Sequence, residues 1–77
     1  KVSMYQNVTI GGARVGDSSD KAYPKINSNV TIFAGAVIIG NVVVGEGSVI
    51  GANSVVNKNV EPNTIVAGAP ARIIGRL

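Results

Sequence analysis

Few residues of this 77-residue chain could do acid–base or metal chemistry. It contains no histidine, the commonest general base. It also contains no cysteine, which excludes a disulfide framework and a thiolate metal site, so we expect no bound metal. Three cationic residues near the C-terminal end, Lys58, Arg72 and Arg76, could bind an anionic ligand, or they could form an ordinary solvated surface.

Two triplets of small residues stand 18 positions apart and expose little side chain. Without bulky side chains, their backbone N–H and C=O groups could be reached by an extended ligand. A tight turn would require the same residue types, so the pattern alone leaves both interpretations open. The triplets are Ala34, Gly35 and Ala36, followed by Ala52, Asn53 and Ser54.

A six-residue repeat runs through the middle of the chain, from Lys25 to Glu61. Each unit begins with an aliphatic residue and carries Gly or Asn three places later, before a small residue. A short fixed period over consecutive units predicts a solenoid. The aliphatic positions are Ile26, Ile32, Ile38, Val44, Ile50 and Val56, and the Gly or Asn positions are Asn29, Gly35, Asn41, Gly47, Asn53 and Asn59.

The period of six is explained if each unit is one short strand and one turn. The aliphatic side chain points inward, and Gly or Asn occupies a corner with a positive φ, which these residues tolerate best. Three units then close a triangular coil of about 18 residues, and successive coils stack as parallel strands. This arrangement stacks Ile26 on Val44, Ile32 on Ile50, and Ile38 on Val56.

Two other folds fit the repeat less well. In an α-helix the apolar period would be 3.6, and a Gly or Asn in nearly every turn would cost about 0.5–1 kcal/mol each. An array of antiparallel hairpins would need alternating strands and paired turn residues such as Asn-Gly. We therefore predict an all-β, parallel coil.

The rest of the chain divides into an N-terminal strand-like segment, a polar loop and a closing segment. Residues 1–12 have a strand pattern, residues 13–24 are rich in turn formers, and Pro62 and Asn63 break the repeat. Because the chain begins with Lys1 inside a strand pattern, we expect it to be the C-terminal part of a longer protein. Within it, residues 1–77 form one domain.

Composition narrows the setting and the partners. The net charge of +3 is not gathered into a run interleaved with aromatics, so we expect no nucleic-acid partner. No apolar stretch is long enough to span a membrane, and no signal peptide is visible. Together with the lack of cysteine, this favours a cytoplasmic protein without a membrane partner.

The hexads resemble a known family. INSNVT, IFAGAV, IIGNVV, VGEGSV, IGANSV and VNKNVE are similar to the repeats of the hexapeptide-repeat acyltransferases, and NTIVAGAPARIIG is similar to their closing segment. VSMYQNVTIGG, followed by a polar loop and YPKI, resembles the serine acetyltransferase branch. The resemblance implies a single-stranded left-handed parallel β-helix with triangular coils and one extended loop near residues 13–24. The general preference for right-handed crossovers gives the opposite hand, so the handedness depends on the resemblance.

The resemblance also implies an activity that this chain cannot complete alone. Members of the family transfer acetyl from acetyl-CoA to a hydroxyl, with a histidine as general base. That histidine is expected upstream, so we place no catalytic residue in this chain and expect it to be inactive by itself. A second histidine of the serine branch, preceded by Arg, is replaced here by Tyr23, preceded by Ala22.

The same resemblance assigns roles to particular residues. The two small triplets would bind the pantetheine arm of acetyl-CoA, a cosubstrate, through their backbone groups. Lys58 and Arg72 would bind its phosphates, Gly68 would shape the tail over it, and Tyr23 would contact the acceptor.

We therefore predict an acetyl-CoA-dependent O-acetyltransferase, with L-serine as acceptor in cysteine biosynthesis. The protein would assemble as a homotrimer or as a dimer of trimers, since the CoA cleft of the family lies between adjacent β-helices. Two alternatives remain open from the residues alone. One is an O-acetyltransferase for a sugar or a capsular polysaccharide, and the other is a non-catalytic β-helix that serves as a trimerisation or scaffold module.

Overall fold

The computed structural model describes residues 2–11 and 23–77, and it builds them from strands and turns. The loop predicted at residues 13–24 therefore lies almost entirely outside the described residues. No helix among the described residues is long and apolar enough to cross a membrane. The strands are β1 (Val2–Met4), β2 (Thr9–Gly11), β3 (Lys25–Ile26), β4 (Val30–Ile32), β5 (Val37–Ile39), β6 (Val43–Val44), β7 (Val49–Ile50), β8 (Val55–Val56), β9 (Thr64–Ala67) and β10 (Arg72–Arg76).

The strands form three sheets, which are the faces of a triangular coil stack. The first face has the order β1-β4-β7-β9-β10, the second β2-β5-β8 and the third β3-β6. From β1 to β9, consecutive strands lie on different faces, and the pairings of the described strands are parallel except that between β9 and β10, which are neighbours on the first face. This is the parallel β-helix that the repeat predicted.

The predicted coil length is confirmed by the strand register. Each pairing between the second and third coils joins residues 18 positions apart, so every inward aliphatic side chain meets its counterpart one coil away. The pairs are Ile26 with Val44, Ile32 with Ile50, and Ile38 with Val56, as predicted.

The first coil is longer than the others. Val2 pairs with Val30 and Ile10 with Ile38, in both cases 28 residues later. The register therefore requires ten additional residues between β2 and β3, in the part of the chain that was predicted to be an extended loop.

The core is a stack of aliphatic layers inside the triangle. Ile32, Ile38, Val44 and Ile50 have no exposed surface. Full burial of such a side chain stabilises the fold by about 1.5–3 kcal/mol. The residue after each predicted corner is also buried in all six units, which explains why it is small: Val30, Ala36, Val42, Ser48, Ser54 and Val60.

Buried hydroxyls in the core are all hydrogen-bonded, which removes the cost of taking them out of water. Ser54 Oγ donates to the Gly51 carbonyl at 2.7 Å within its own turn. Ser48 Oγ and Thr64 Oγ1 both donate to the carbonyl of Glu61, at 2.8 and 2.7 Å.

Most of the predicted corners have the expected backbone conformation. Asn29, Gly35, Gly47 and Asn53 have φ values of 62, 76, 75 and 58°. In the turns at 33–36 and 51–54, the N–H of the fourth residue approaches the carbonyl of the first, at 3.4 Å in both cases. A positive φ at the third position is the pattern of a type II β-turn, which accounts for Gly and Asn at these places.

The prediction for Asn41 was wrong. The positive φ lies one residue earlier, at Gly40, where it is 88°. The Gly40 N–H donates to the Gly11 carbonyl, and the Val42 N–H donates to the Gly40 carbonyl at 2.9 Å. Since Gly adopts this conformation at no steric cost, it takes the corner from the adjacent Asn.

The prediction for Asn59 was also wrong, because the last coil is two residues shorter than the repeat. Val44 pairs with Val60, 16 residues later. The Asn59 side chain, rather than a left-handed backbone, completes this edge by accepting the Val43 N–H at 2.8 Å. The next corner with a positive φ is Asn63, at 57°, although the sequence pattern suggested that the repeat had ended before this residue.

The two ends of the stack differ. At the C-terminal end, β10 folds back antiparallel on β9, with a bulge between Ile73 and Gly75, and terminates the parallel stack. At the other end, Met4 and Ile10 lie in the inward columns but are exposed, because the described structure has no coil on their outer side.

Candidate functional site

The predicted cofactor-binding triplets form one edge of the triangular stack. We call this the first edge; it lies between the first and second faces and comprises the stacked turns at residues 5–8, 33–36 and 51–54. The Asn53 N–H donates to the Ala34 carbonyl at 3.0 Å, and the Val37 N–H donates to the Ser54 carbonyl at 2.8 Å. The two turns are therefore stacked directly, as the 18-residue spacing indicated.

The members of the triplets are not equivalent. Ala36 and Ser54 are fully buried, and the Ser54 hydroxyl is already engaged within its turn. Ala34 is partly exposed, and Ala52 and Asn53 are exposed. A ligand at this edge would meet the Ala34 and Ala52 side of the turns, while Ala36 and Ser54 shape the turns from inside.

The amide groups of Ala34 and Ala52 are available as hydrogen-bond donors. The N–H groups of Gly35 and Asn53 donate to carbonyls of the preceding coil, at 3.1 and 3.0 Å. Within the part of the chain that the structure describes, the N–H groups of Ala34 and Ala52 donate to no backbone carbonyl. The first edge thus carries two stacked donors about 4.8 Å apart, the spacing of neighbouring strands.

Gly35 is required at this edge for two reasons. Its φ of 76° disfavours any residue with a Cβ, and the space that a Cβ would occupy is taken by the Asn53 side-chain amide of the next coil. The Asn53 side chain therefore covers Gly35 and packs the two turns together.

The same turn recurs at a second place, which shows what is particular to the first edge. We call it the third edge; it lies between the third and first faces, and its positive-φ residues Asn29, Gly47 and Asn63 are preceded by Ser28, Glu46 and Pro62. At this edge the N–H of Glu46 lies beside the charged side chain of the same residue, and Pro62 has no N–H. Only the first edge combines outward amides with methyl side chains among the described turns.

Gly68 and Arg72 lie near the first edge, at its C-terminal end. The Val55 N–H donates to the Gly68 carbonyl at 2.9 Å, and the Ala71 N–H donates to the Val55 carbonyl at 2.7 Å. Gly68, with a φ of 105°, begins the reversal that leads to β10. Arg72 pairs with Ala67 in that strand and is exposed, so its guanidinium is available to an anion beside the triplets.

Arg76 has a different environment from Arg72. Its Nη1 atom lies 2.9 Å from Oε2 of Glu61, and both side chains are largely exposed. This ion pair ties the end of β10 to the third edge. Arg76 is therefore placed away from the triplets and is paired with a carboxylate.

Lys58 and Tyr23 lie at neither of these edges. They belong to the second edge, between the second and third faces: Lys58 follows β8, and Tyr23 comes two residues before β3. Both side chains are exposed. One β-helix therefore gathers the two triplets, Gly68 and Arg72 at one edge and leaves Lys58 and Tyr23 at another.

Sequence reasoning missed one feature of the first edge. The rings of Tyr5 and Phe33 are stacked, with centroids 5.1 Å apart and an interplanar angle of 1°. The two residues are 28 positions apart, so their contact follows from the long first coil and is invisible to an 18-residue period. The signal in the sequence is only that both follow an inward-facing residue, Met4 and Ile32.

The six-residue repeat also matches a known protein family. Residues 23–58 match the family described as Bacterial transferase hexapeptide (six repeats). The hexapeptide-repeat resemblance that the hexads suggested is thereby confirmed.

The curated relatives of this hexapeptide-repeat chain include serine acetyltransferases. The enzyme of Salmonella typhimurium is 52% identical over 75 residues, and that of Escherichia coli strain K12 has the same identity over the same length. In both cases the match covers 97% of this chain and 27% of the relative. The chain thus spans about a quarter of the length of these relatives.

Solved structures agree with the fold. Serine acetyltransferase from Vibrio cholerae superposes with a TM-score of 0.90 at 53% identity, over 99% of this chain and 29% of that one. Serine acetyltransferase from Brucella abortus strain S19, in complex with Coenzyme A, gives 0.89 at 53% identity over 99% of this chain and 30% of that one. The coil stack is the left-handed β-helix of these structures, so the expected handedness is confirmed.

Proposed function

We propose that the chain is the C-terminal β-helix domain of an acetyl-CoA-dependent serine O-acetyltransferase. The observation that carries this proposal is the match to serine acetyltransferases at 52–53% identity over 97–99% of the chain. The relatives and solved structures named above are all serine acetyltransferases, and they do not favour the sugar or capsule alternative. We further propose that the enzyme acts in the cytoplasm, in cysteine biosynthesis.

Acetyl-CoA would bind along the first edge. The outward amides of Ala34 and Ala52 can donate to carbonyl oxygens of the thioester or the pantetheine arm. Arg72, at the C-terminal end of the same edge, can pair with the phosphates. A neighbour of known structure, which is 46% identical, is described as a serine acetyltransferase complex with CoA, and this supports the ligand.

The reaction needs a base that this chain does not supply. The hydroxyl of serine attacks the thioester carbonyl and must lose its proton as the new C–O bond forms. The C–S bond then breaks, and the CoA thiolate leaves and takes up a proton. Since these 77 residues contain no histidine, we propose that the general base lies in the remainder of the protein.

Backbone amides at the first edge suit the charge that develops during the attack. The thioester oxygen becomes an oxyanion in the tetrahedral intermediate, and fixed N–H donors stabilise such charge at little reorganisation cost. The stacked turns hold these donors rigidly because their other N–H groups are bonded to the preceding coil.

The placement of the sites favours an assembly of several chains. Tyr23 and Lys58 lie at the second edge, and the outward amides lie at the first edge. A cleft between adjacent β-helices can bring the first edge of one chain to the second edge of the next. We therefore propose a homotrimer, or a dimer of trimers, in which Tyr23 contacts the acceptor bound beside a neighbour's acetyl-CoA.

The proposed activity can be tested on the full-length protein by thiol release from acetyl-CoA. We expect release with L-serine and none with L-alanine, which differs only in lacking the hydroxyl. Nucleotide sugars provide the comparison with the other acetyltransferase class. Thiol release with a nucleotide sugar and none with L-serine would overturn the proposal.

A further inference from the structure

Two aromatic rings form an exposed wall on the first edge. Tyr5 and Phe33 stack across adjacent coils and remain 55% and 40% exposed. They account for two of the three aromatic residues of the chain. Rings that stack in this way usually bury their faces in a core or an interface, so their exposure at one edge calls for an explanation.

The wall ends abruptly at the next coil. The Tyr5 N–H donates to the Ile32 carbonyl, the Phe33 N–H to the Ile50 carbonyl, and the Gly51 N–H to the Val66 carbonyl, so these three residues occupy one column. Gly51 has no side chain to cover the second face of the Phe33 ring. A Cβ at Gly51 would lie 3.0 Å from the Cβ of Ala67, which is too close, so this position of the column disfavours a side chain.

The wall and the free amides belong to the same column. The Ala34 N–H is part of the peptide that follows Phe33, and the Ala52 N–H is part of the peptide that follows Gly51. A ligand that accepts hydrogen bonds from both amides therefore runs beside the column that contains the exposed Phe33. Over two coils, this part of the first edge therefore presents N–H donors that alternate with apolar surface.

We infer that the Tyr5–Phe33 wall packs against the pantetheine arm of the bound acyl-CoA, an inference that rests on the proposed function. The arm is an extended chain in which two amide groups alternate with methylene and dimethyl segments. The amide carbonyls of the arm can accept hydrogen bonds from the two N–H donors. Its apolar segments can pack against the ring of Phe33 and over Gly51, which has no side chain. The wall makes Phe33 a determinant of affinity for the arm.

The arm fits this surface better than the nucleotide does. The nucleotide carries the phosphates, and among the described residues Arg72 is an exposed cation beyond Ala67, at the C-terminal end of this edge. Placing the phosphates there leaves the arm to run back along Ala52 and Ala34 towards Phe33.

The test is the affinity of the full-length protein for CoA and for adenosine 3′,5′-bisphosphate, which lacks the arm. We expect Phe33→Ala to weaken CoA binding about three- to tenfold and to leave the bisphosphate unchanged. Phe33→Tyr retains the ring and should retain the affinity. Val43→Ala is the control, because Val43 is similarly exposed, at 38%, but lies on the third face.

In steady-state kinetics, the KM for acetyl-CoA should rise in Phe33→Ala, while kcat and the KM for the acceptor stay the same. Equal weakening of CoA and of the bisphosphate, or unchanged CoA binding, would overturn the inference while leaving the proposed function intact. If the unaltered protein binds neither ligand, the proposed function itself fails.

Discussion

At the residue scale, the turns decide both the fold and the candidate site. A positive φ at the third turn position requires Gly or Asn, and in the turns of the two triplets the N–H of the preceding residue donates to no described backbone carbonyl. Gly35 and Asn53 meet this requirement at the first edge, with Asn63 doing the same at the third. The free amides of Ala34 and Ala52 therefore follow from the turn geometry of the repeat, and a ligand can accept hydrogen bonds from them.

The role of the Ala52 amide can be tested by removing its hydrogen alone. Proline is favoured at the second position of a type II turn, and Pro62 already occupies that position at the third edge. We expect Ala52→Pro to preserve the fold and to weaken CoA binding about fivefold to tenfold, since one hydrogen bond is worth about 1 kcal/mol. Isothermal titration of the full-length protein measures the change.

The matched control for this substitution is Glu46→Pro. It removes the N–H of the equivalent turn at the third edge, where no ligand is proposed. Unchanged CoA affinity in Ala52→Pro, with an unchanged melting temperature, would count against a hydrogen bond from this amide.

At the element scale, stacked coils supply the stability. Each strand has only two to five residues, so a strand is held by its neighbours in the adjacent coils rather than by its own length. Isoleucines and valines meet in register through the centre, and they are β-branched residues that suit short flat strands.

We expect Ile38→Ala to destabilise the protein by about 2–5 kcal/mol. Ile38 is fully buried in the second face and touches counterparts on both sides, so truncation leaves a cavity. Ile74→Ala provides the control, because Ile74 is 67% exposed on β10 and should change the free energy of unfolding by less than about 0.5 kcal/mol. Denaturant unfolding measures both, and similar losses would contradict the layered core.

At the scale of the whole molecule, the residues of the proposed site lie at two separate edges of one chain. The first edge carries the outward amides and Arg72, while the second edge carries Tyr23 and Lys58. A solenoid cannot fold these edges together, because they lie at different corners of a rigid triangle. Completion by a second copy is therefore part of the proposed function.

This arrangement predicts complementation between two defective variants of the full-length enzyme. Ala52→Pro should impair the first edge, and Tyr23→Ala should raise the KM for serine through the second edge. Co-expressed chains would form mixed assemblies in which some clefts have two unaltered edges, so activity should exceed that of either variant alone. If the mixture has only the mean activity of the two variants, each active site is formed within a single chain, which would contradict the proposed cleft between chains.

The sequence alone was sufficient for most of the fold. The period of six follows from local rules, namely where a side chain must point inward and where φ must be positive. Ile32, Ile38 and Ile50 could therefore be assigned to the core, and Gly35 and Asn53 to corners, without any knowledge of distant contacts. The triplets of the first edge were found in the same way.

Only the tertiary structure decided the departures from the repeat. Gly40 displaces Asn41 at a corner, Val60 pairs with Val44 after a shortened coil, and Tyr5 stacks on Phe33 across 28 residues. Each depends on how strands far apart in the chain align, which hydrogen bonding between coils settles and a local pattern does not. For the same reason, the separation of Tyr23 from the amides of the first edge became visible only once the coils were stacked.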